Sequence, residues 1–280
     1  MNQAYIKNDV RFCFAIYKKW DDIMQKKIVY KSDNGLQFAF SNTAPYYLEK
    51  IDATSIAGVF TTDIIPDRLG QVTTSKTFGG RTIVCELAVV FGNDEIKTFK
   101  KQILSELTEC FTPLSSGVLE IETDFGTYKI NCYPQESLKF DNSEVSYVYR
   151  FTVDLICDYP YFKNVKTNKN TLTANESTII SSRSRIDNRE IIIAIPNFNA
   201  NFTLTNETTN KEIRLKKFGG GKVILDVLNF KLIAGNGTDV SQFIDITCDI
   251  EDFCLKYGAN KLTANLEATI EYSDILLGVM

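Results

Sequence analysis

Most of the chain alternates between apolar and polar positions. Residues 81–91, RTIVCELAVVF, put Ile83, Cys85, Leu87, Val89 and Phe91 on one side. Thr82, Val84, Glu86, Ala88 and Val90 take the other, which is only partly polar, so both faces have apolar surface to cover. Residues 118–123 and 127–133 repeat the alternation on either side of Phe125-Gly126, which predicts a hairpin. The clearest strand is 147–157, YVYRFTVDLIC. Tyr147, Tyr149, Phe151, Val153, Leu155 and Cys157 share a side against Arg150, Thr152 and Asp154. At 11 residues it spans about 35 Å. It stops at Asp158-Tyr159-Pro160, because proline has no N–H for the ladder.

One segment changes period. In 93–111 the apolar residues Ile96, Phe99, Ile103, Leu107 and Cys110/Phe111 recur at helical spacing. Asn93 or Asp94 can cap this helix, predicted over 94–110, and Pro113 follows its end. An amphipathic helix among strands must lie on a sheet face or edge to bury its stripe.

Residues 163–190 are polar and rich in Asn, Ser, Thr and Lys. They read as a connection between a domain of residues 1–162 and one of 163–280, with a linker near 163–175 and a first strand near 176–181. Apolar runs then recur at 191–195, 202–205, 212–215, 222–227, 230–233, 243–247 and 266–272. Turn signals separate them, including Gly219-Gly220-Gly221, Gly235-Asn236-Gly237 and Gly258-Ala259-Asn260. Short strands at this spacing predict a β-sandwich. Residues 249–258 read as a single helical turn ended by Gly258.

Composition narrows the chemistry. The 280 residues contain no histidine, which excludes Ser-His-Asp and Cys-His catalysis and every histidine-bearing metal site. The seven cysteines, Cys13, Cys85, Cys110, Cys132, Cys157, Cys248 and Cys254, form no C-x-x-C pair and read as reduced, mostly structural thiols. The first residues carry no secretion-signal pattern, and no apolar run approaches the ~20 residues of a membrane span. The sequons at Asn175, Asn201, Asn206 and Asn236 are therefore read as chance.

Formal charge is −4, unevenly spread. Residues 1–160 hold 17 basic and 21 acidic side chains. Residues 161–217 are net +5 and 218–280 net −5. No stripe suits a phosphate backbone, so sequence-specific nucleic-acid binding is not expected. Phe218-Gly219-Gly220-Gly221-Lys222 lacks the spacing of a phosphate loop and reads as a hairpin turn. Glu120 and Glu122 share one strand face about 7 Å apart, a glycosidase-like separation, but alternating glutamates also mark an ordinary solvated face. Asp249, Glu251 and Asp252 lack a calcium-loop pattern, and Cys248 and Cys254 lack a second ligand pair. Sugar recognition usually needs an exposed aromatic platform, and the only tryptophan, Trp20, lies in the first domain. No catalytic residue, cofactor site or metal site is assigned, and the chain reads as a non-enzyme.

The order of these parts resembles the distal tail protein family of long-tailed, siphovirus-like bacteriophages of Gram-positive hosts. Gly79-Gly80-Arg81-Thr82-Ile83 opens a strand, then come the helix ending in Phe111-Thr112-Pro113 and the hairpin with Tyr128-Lys129-Ile130. The long strand closes as Phe151-Thr152-Val153-Asp154-Leu155-Ile156-Cys157-Asp158-Tyr159-Pro160-Tyr161-Phe162. Farther on come Ile195-Pro196-Asn197, Leu204-Thr205-Asn206 with Ile213, and Phe253 through Tyr257-Gly258-Ala259-Asn260-Lys261-Leu262. The resemblance runs from about residue 56 onward. It implies a mainly β protein with one amphipathic helix: an N-terminal ring-forming β domain and a C-terminal galectin-like β-sandwich.

It further implies a virion structural protein whose six copies form a ring at the tail tip. The ring would join the tail tube protein to the tail-tip hub protein, in many phages carry a receptor-binding protein, and let DNA through. Synthesis would be in the host cytoplasm, without membrane insertion. The acidic first domain suits a channel that repels DNA. A ring contact is expected in the hairpin 118–133 or at Phe78, Gly79, Gly80 and Arg81. Some relatives carry inserted carbohydrate-binding modules, for which this chain has no room, so an adaptor role is expected. The alternatives are another tail-tip or baseplate component, of a contractile phage or phage-like bacteriocin, and a carbohydrate-binding β-sandwich adhesin.

Overall fold

The computed structural model describes residues 27–56, 58–64, 71–91, 99–124, 126–141 and 147–278. Cys13, Trp20, Ile96 and the capping residues Asn93 and Asp94 lie outside the described residues. The described chain is mostly antiparallel β-sheet with one α-helix. It divides into two compact units, Met1–Pro160 with Val279–Met280, and Tyr161–Gly278. Among the described residues no helix is long and apolar enough to cross a membrane.

In the first unit, β1 (Lys27–Ser32), β2 (Gln37–Phe40), β7 (Gly117–Thr123) and β8 (Gly126–Pro134) pair in the order β2-β1-β7-β8. β3 (Tyr46–Asp52), β6 (Arg81–Val90) and β9 (Val148–Cys157) pair as β3-β6-β9. The two groups join where Tyr133 and Pro134 of β8 meet Ile156 and Leu155 of β9. They join again where Ser41, just after β2, bonds Tyr46 O at 3.1 Å and accepts from Leu48 N at 2.8 Å. The strip of strands thus curls until its ends meet around an aromatic core. Phe40 has its ring 6.2 Å from Phe151, 6.3 Å from Phe111 and 5.7 Å from Tyr46. The helix α1 (Phe99–Cys110) buries Leu107 and Cys110, and Phe111 after it stacks on Tyr30 at 4.6 Å. Phe99, read as part of the apolar stripe, is instead largely exposed.

The alternating faces of β6 and β9 fall as the sequence predicts. Ile83, Cys85, Leu87, Val89, Phe151, Val153, Leu155 and Cys157 are buried, and Thr82, Arg150, Thr152 and Asp154 are exposed. β1, β2 and β3 lie in a stretch to which the pattern assigned no elements. They are short, and β3 is half-buried along its length, so they give weak periodic signals.

The second unit has two sheets. One runs β16-β15-β12-β18-β10, from β10 (Phe162–Leu172), β12 (Ile191–Ile195), β15 (Val223–Asp226), β16 (Lys231–Ala234) and β18 (Ala268–Leu276). The other runs β11-β17-β13-β14, from β11 (Ser177–Ser182), β13 (Phe202–Asn206), β14 (Lys211–Leu215) and β17 (Gly258–Ala264). Both contribute to one buried apolar cluster, with Ile193, Leu225 and Ile270 from the first and Phe202, Leu204, Ile213 and Leu262 from the second. This is a β-sandwich core.

Four local expectations change. The polar stretch 163–175, expected as a linker, is mostly β10, laddered to β18 from Phe162↔Leu276 to Leu172↔Ala268. Its long exposed middle needs no apolar residues, because backbone pairing supplies its bonds. Residues 243–247, expected as a strand, begin with a 3-10 turn (Ser241–Phe243) and make a single bridge, Ile244 to Leu215. Asp239 accepts from Ser241 N at 3.0 Å and Asp245 from Thr247 N at 3.0 Å, so side chains take the N–H groups a ladder would use. Residues 249–258 hold turns rather than a helix, and Gly258, at φ +90°, opens β17 instead of ending a helix. Gly219-Gly220-Gly221, all at positive φ, link β14 in one sheet to β15 in the other, so the loop is a crossover and not a hairpin turn.

The outer face of the second sheet carries one strongly held carboxylate. Glu207 accepts from Lys261 Nζ at 2.6 Å, Thr263 Oγ1 at 2.6 Å and Ser177 Oγ at 3.0 Å. These bonds, that of Lys261 foremost, hold its carboxyl at about 2. A free glutamate titrates near 4.3. The stability it contributes is therefore complete above that value and is lost as pH falls toward 2. Glu207→Gln is expected to flatten the loss of thermal stability between pH 5 and pH 2.5, which melting curves across that range would show. An unchanged slope would exclude this role.

Candidate assembly surface

The first unit carries a two-stranded arm. β4 (Gly58–Ile64) and β5 (Gln71–Phe78) pair from Gly58↔Phe78 to Ile64↔Gln71, with a bulge between Thr61 and Thr62. Among the described residues neither pairs with any other strand. Val59, Phe60 and Phe78 are 50%, 62% and 51% exposed. A lone two-stranded ribbon is marginal in water, so this arm with its exposed apolar residues is a candidate contact surface.

Its base is fixed. Asp52 accepts from Thr54 N at 3.1 Å and Thr54 Oγ1 at 2.9 Å, bonds that lower its carboxyl pKa and turn the chain out of β3. Arg81, 2% exposed, donates from Nη1 to Ala53 O at 2.7 Å, so the two ends of the arm are clamped together. Burial lowers the guanidinium pKa. Gly80 lies against β9: a Cβ there would stand 2.9 Å from Cys157 O, so this crossing admits only glycine.

The four residues singled out from sequence thus meet at one place with different environments. Phe78 is exposed, Gly79 half-buried, Gly80 exposed on a backbone crossing, and Arg81 buried in the clamp. Val59 and Phe60 were missed. The run Gly58-Val59-Phe60 before Thr61-Thr62, set against Thr73-Thr74 and Phe78, was the available signal.

The other candidates resolve into surface ion pairs. Glu120 bonds Lys31 Nζ at 2.7 Å and faces Lys129, while Glu122 faces Lys27 and Thr127. Lys211 Nζ sits 3.3 Å from Asp249 and 3.0 Å from Asp252. Among the described residues no group of three acidic or cysteine side chains is placed to hold a metal. Cys248 is half-buried and Cys254 buried, both as free thiols.

No family model matches the sequence, and no curated protein matches it. Solved structures do match. SPP1 Dit (gp 19.1), a paradigm of the hub adsorption apparatus in phages infecting Gram-positive bacteria, aligns with TM-score 0.68 over 89% of this chain and 99% of its own, at 14% identity. The chain has the fold of SPP1 Dit. Two structures of the phage P2 baseplate in its activated conformation, with Ca and with Sr, align with TM-score 0.43 at 10% identity. They cover 92% and 91% of this chain and 100% and 99% of theirs.

Proposed function

We propose that this chain is a virion structural protein of a phage tail tip, a distal tail protein. Six copies form a ring that joins the tail tube to the hub or baseplate and leaves a channel for DNA. The observation that carries the reading is the Dit fold, which extends over 89% of this chain and 99% of Dit. The order of sequence motifs supports it from a separate direction. In this reading residues 1–162 are the ring-forming domain and 163–280 a galectin-like domain. The partners are further copies of the chain, the tube and hub proteins and a receptor-binding protein. The chain is made in the host cytoplasm, resides in the virion tail tip and performs no catalysis.

The ring contact is assigned to the arm. A ring is closed by a head-to-tail interface, in which one surface of each copy meets a different surface of the next. A clamped ribbon that, among the described residues, pairs with no further strand and carries three exposed apolar residues suits the first surface, with Phe78 and Gly79 at its root. Light scattering with negative-stain imaging tests this. The expected particle is an open six-fold ring of about 190 kDa, six times the 31.7 kDa chain. Phe60→Asp with Phe78→Asp is expected to return it to monomer with an unchanged melting temperature. A monomer at every concentration, alone and with tube protein, would overturn the ring. A ring that survives the double substitution would move the contact elsewhere.

A further inference from the structure

Two cysteines of the first unit stand in a relation the sequence does not announce. β8 and β9 pair at Tyr133↔Ile156 and Pro134↔Leu155, and Gln135 N bonds Asp154 O at 2.8 Å in the same register. Carried one step past the last paired positions, that register sets Cys132 opposite Cys157. Positions in an antiparallel ladder alternate between hydrogen-bonded and non-hydrogen-bonded pairs. Gln135 and Asp154 are a bonded pair, so Cys132 and Cys157 fall on a non-bonded one. At such a pair in a regular ladder the Cα atoms are about 4.5 Å apart and the side chains lean together. A disulfide needs Cα atoms about 4.4–6.8 Å apart. The thiols are free, 3% and 0% exposed, and near enough for Cys157 to act on Cys132.

Of the two other buried thiols of this unit, Cys110 ends the helix and Cys85 does not compete for Cys157. Cys85 faces Val153, whereas Cys157 faces Arg81, four positions along β6. That offset is about 13 Å, beyond disulfide reach.

We propose that Cys132 and Cys157 are an oxidisable pair, which a peroxide converts into a disulfide stapling β8 to β9. One thiolate attacks a peroxide oxygen; the O–O bond breaks, the sulfur becomes a sulfenic acid, and the released hydroxide takes up the thiol proton as water. The second sulfur attacks the sulfenic sulfur. The S–S bond forms, the S–O bond breaks, and the departing hydroxide takes the second thiol proton as a second water. Two thiols and one hydrogen peroxide thus give one disulfide and two waters. The bond to Cys157 and burial both push the Cys132 thiol pKa up, so the closed fold reacts slowly. Reaction proceeds through opening of the short β8–β9 ladder. The product closes a loop of about 25 residues at the seam where the two strand groups of the unit join.

The test is peptide mapping of the full chain after hydrogen peroxide treatment in the native state, with alkylation of the remaining thiols. The expected product is a peptide linking Cys132 to Cys157, two hydrogens lighter than the reduced pair. Thermal unfolding should rise by about 5 °C and return on reduction. Cys157→Ser should abolish the link and the shift, and Cys85→Ser should keep both. The map of the unaltered chain decides the matter even where a variant folds poorly. Linkage to Cys85 or Cys110, oxidation that stops at sulfinic acid, or thiols that react only in denaturant would each overturn the proposal.

Discussion

Replacing Phe40 by alanine is expected to destabilise the protein by about 3–5 kcal/mol. Phe40 is fully buried, and its ring meets those of Phe38, Tyr46, Phe111 and Phe151 within 6.5 Å. These partners come from β2 itself, from β3, from the residue after α1 and from β9. The side chain therefore touches both strand groups and the helix end at once. Its removal leaves a cavity that no single element can relax into, because each is held by its own ladder. The tilted and edge-on ring geometries would be lost in addition to the buried area. Urea unfolding followed by circular dichroism reads the effect as a lowered midpoint. Phe40→Leu, which refills most of the volume, should cost less than half as much. A loss under about 1 kcal/mol for the alanine variant would mean that the core rearranges freely, and that the two strand groups do not depend on this ring.

The second large effect is expected at Asn206, the last residue of β13. It is fully buried, donates from Nδ2 to Cys254 O at 2.9 Å and accepts from Thr208 N at 3.1 Å. Nearby Asn260, also fully buried, accepts from Lys256 N at 2.9 Å and donates to Lys256 O at 2.8 Å. Together they pin the irregular segment 254–258 to the end of the second sheet. Asn206→Ala leaves a carbonyl and an N–H without partners, a cost of about 2–4 kcal/mol. Asn206→Asp adds a diagnostic pH dependence. A buried carboxylate cannot donate to Cys254 O, whereas the neutral acid can, so the folded pKa is raised above the unfolded one. The variant should be closest to the parent below about pH 4 and lose stability as pH rises toward 7. Melting curves at the two pH values would check this, and equal losses at both would show that the side chain is not held as described.

Both residues show how much the sequence carried and where it stopped. Asn206 and Asn260 stood out in the amino-acid order, inside Leu204-Thr205-Asn206 and Gly258-Ala259-Asn260. The sequence pointed to a turn from Asn206 to Asn210 and another at Gly258-Ala259-Asn260. The structure makes Asn260 a buried clamp within β17. Phe40 could not be singled out, because β2 has four residues and too few alternations to show a face.

The candidate surface divides the same way. Phe78, Gly79, Gly80 and Arg81 were legible as a break before a strongly patterned strand. That Gly80 crosses Cys157 O and Arg81 clamps Ala53 O was not, because both partners are backbone atoms remote in sequence. The arm gives little signal for a related reason. A ribbon exposed on its described positions has no buried side to impose period 2.

By itself the sequence determined the mainly β class, the helix α1, the hairpin of β7 and β8, the inward faces of β6 and β9, and most runs of the second unit. Each follows from local alternation, which a half-buried backbone imposes on neighbouring side chains. It also removed histidine chemistry from consideration. Only the tertiary structure decided that a polar stretch is a full strand against β18, and that the triple glycine crosses between sheets. It also decided that Asp239 and Asp245 dissolve an expected strand. Those outcomes depend on which distant backbone completes each N–H and C=O, and a one-dimensional pattern of apolar and polar residues does not contain that information.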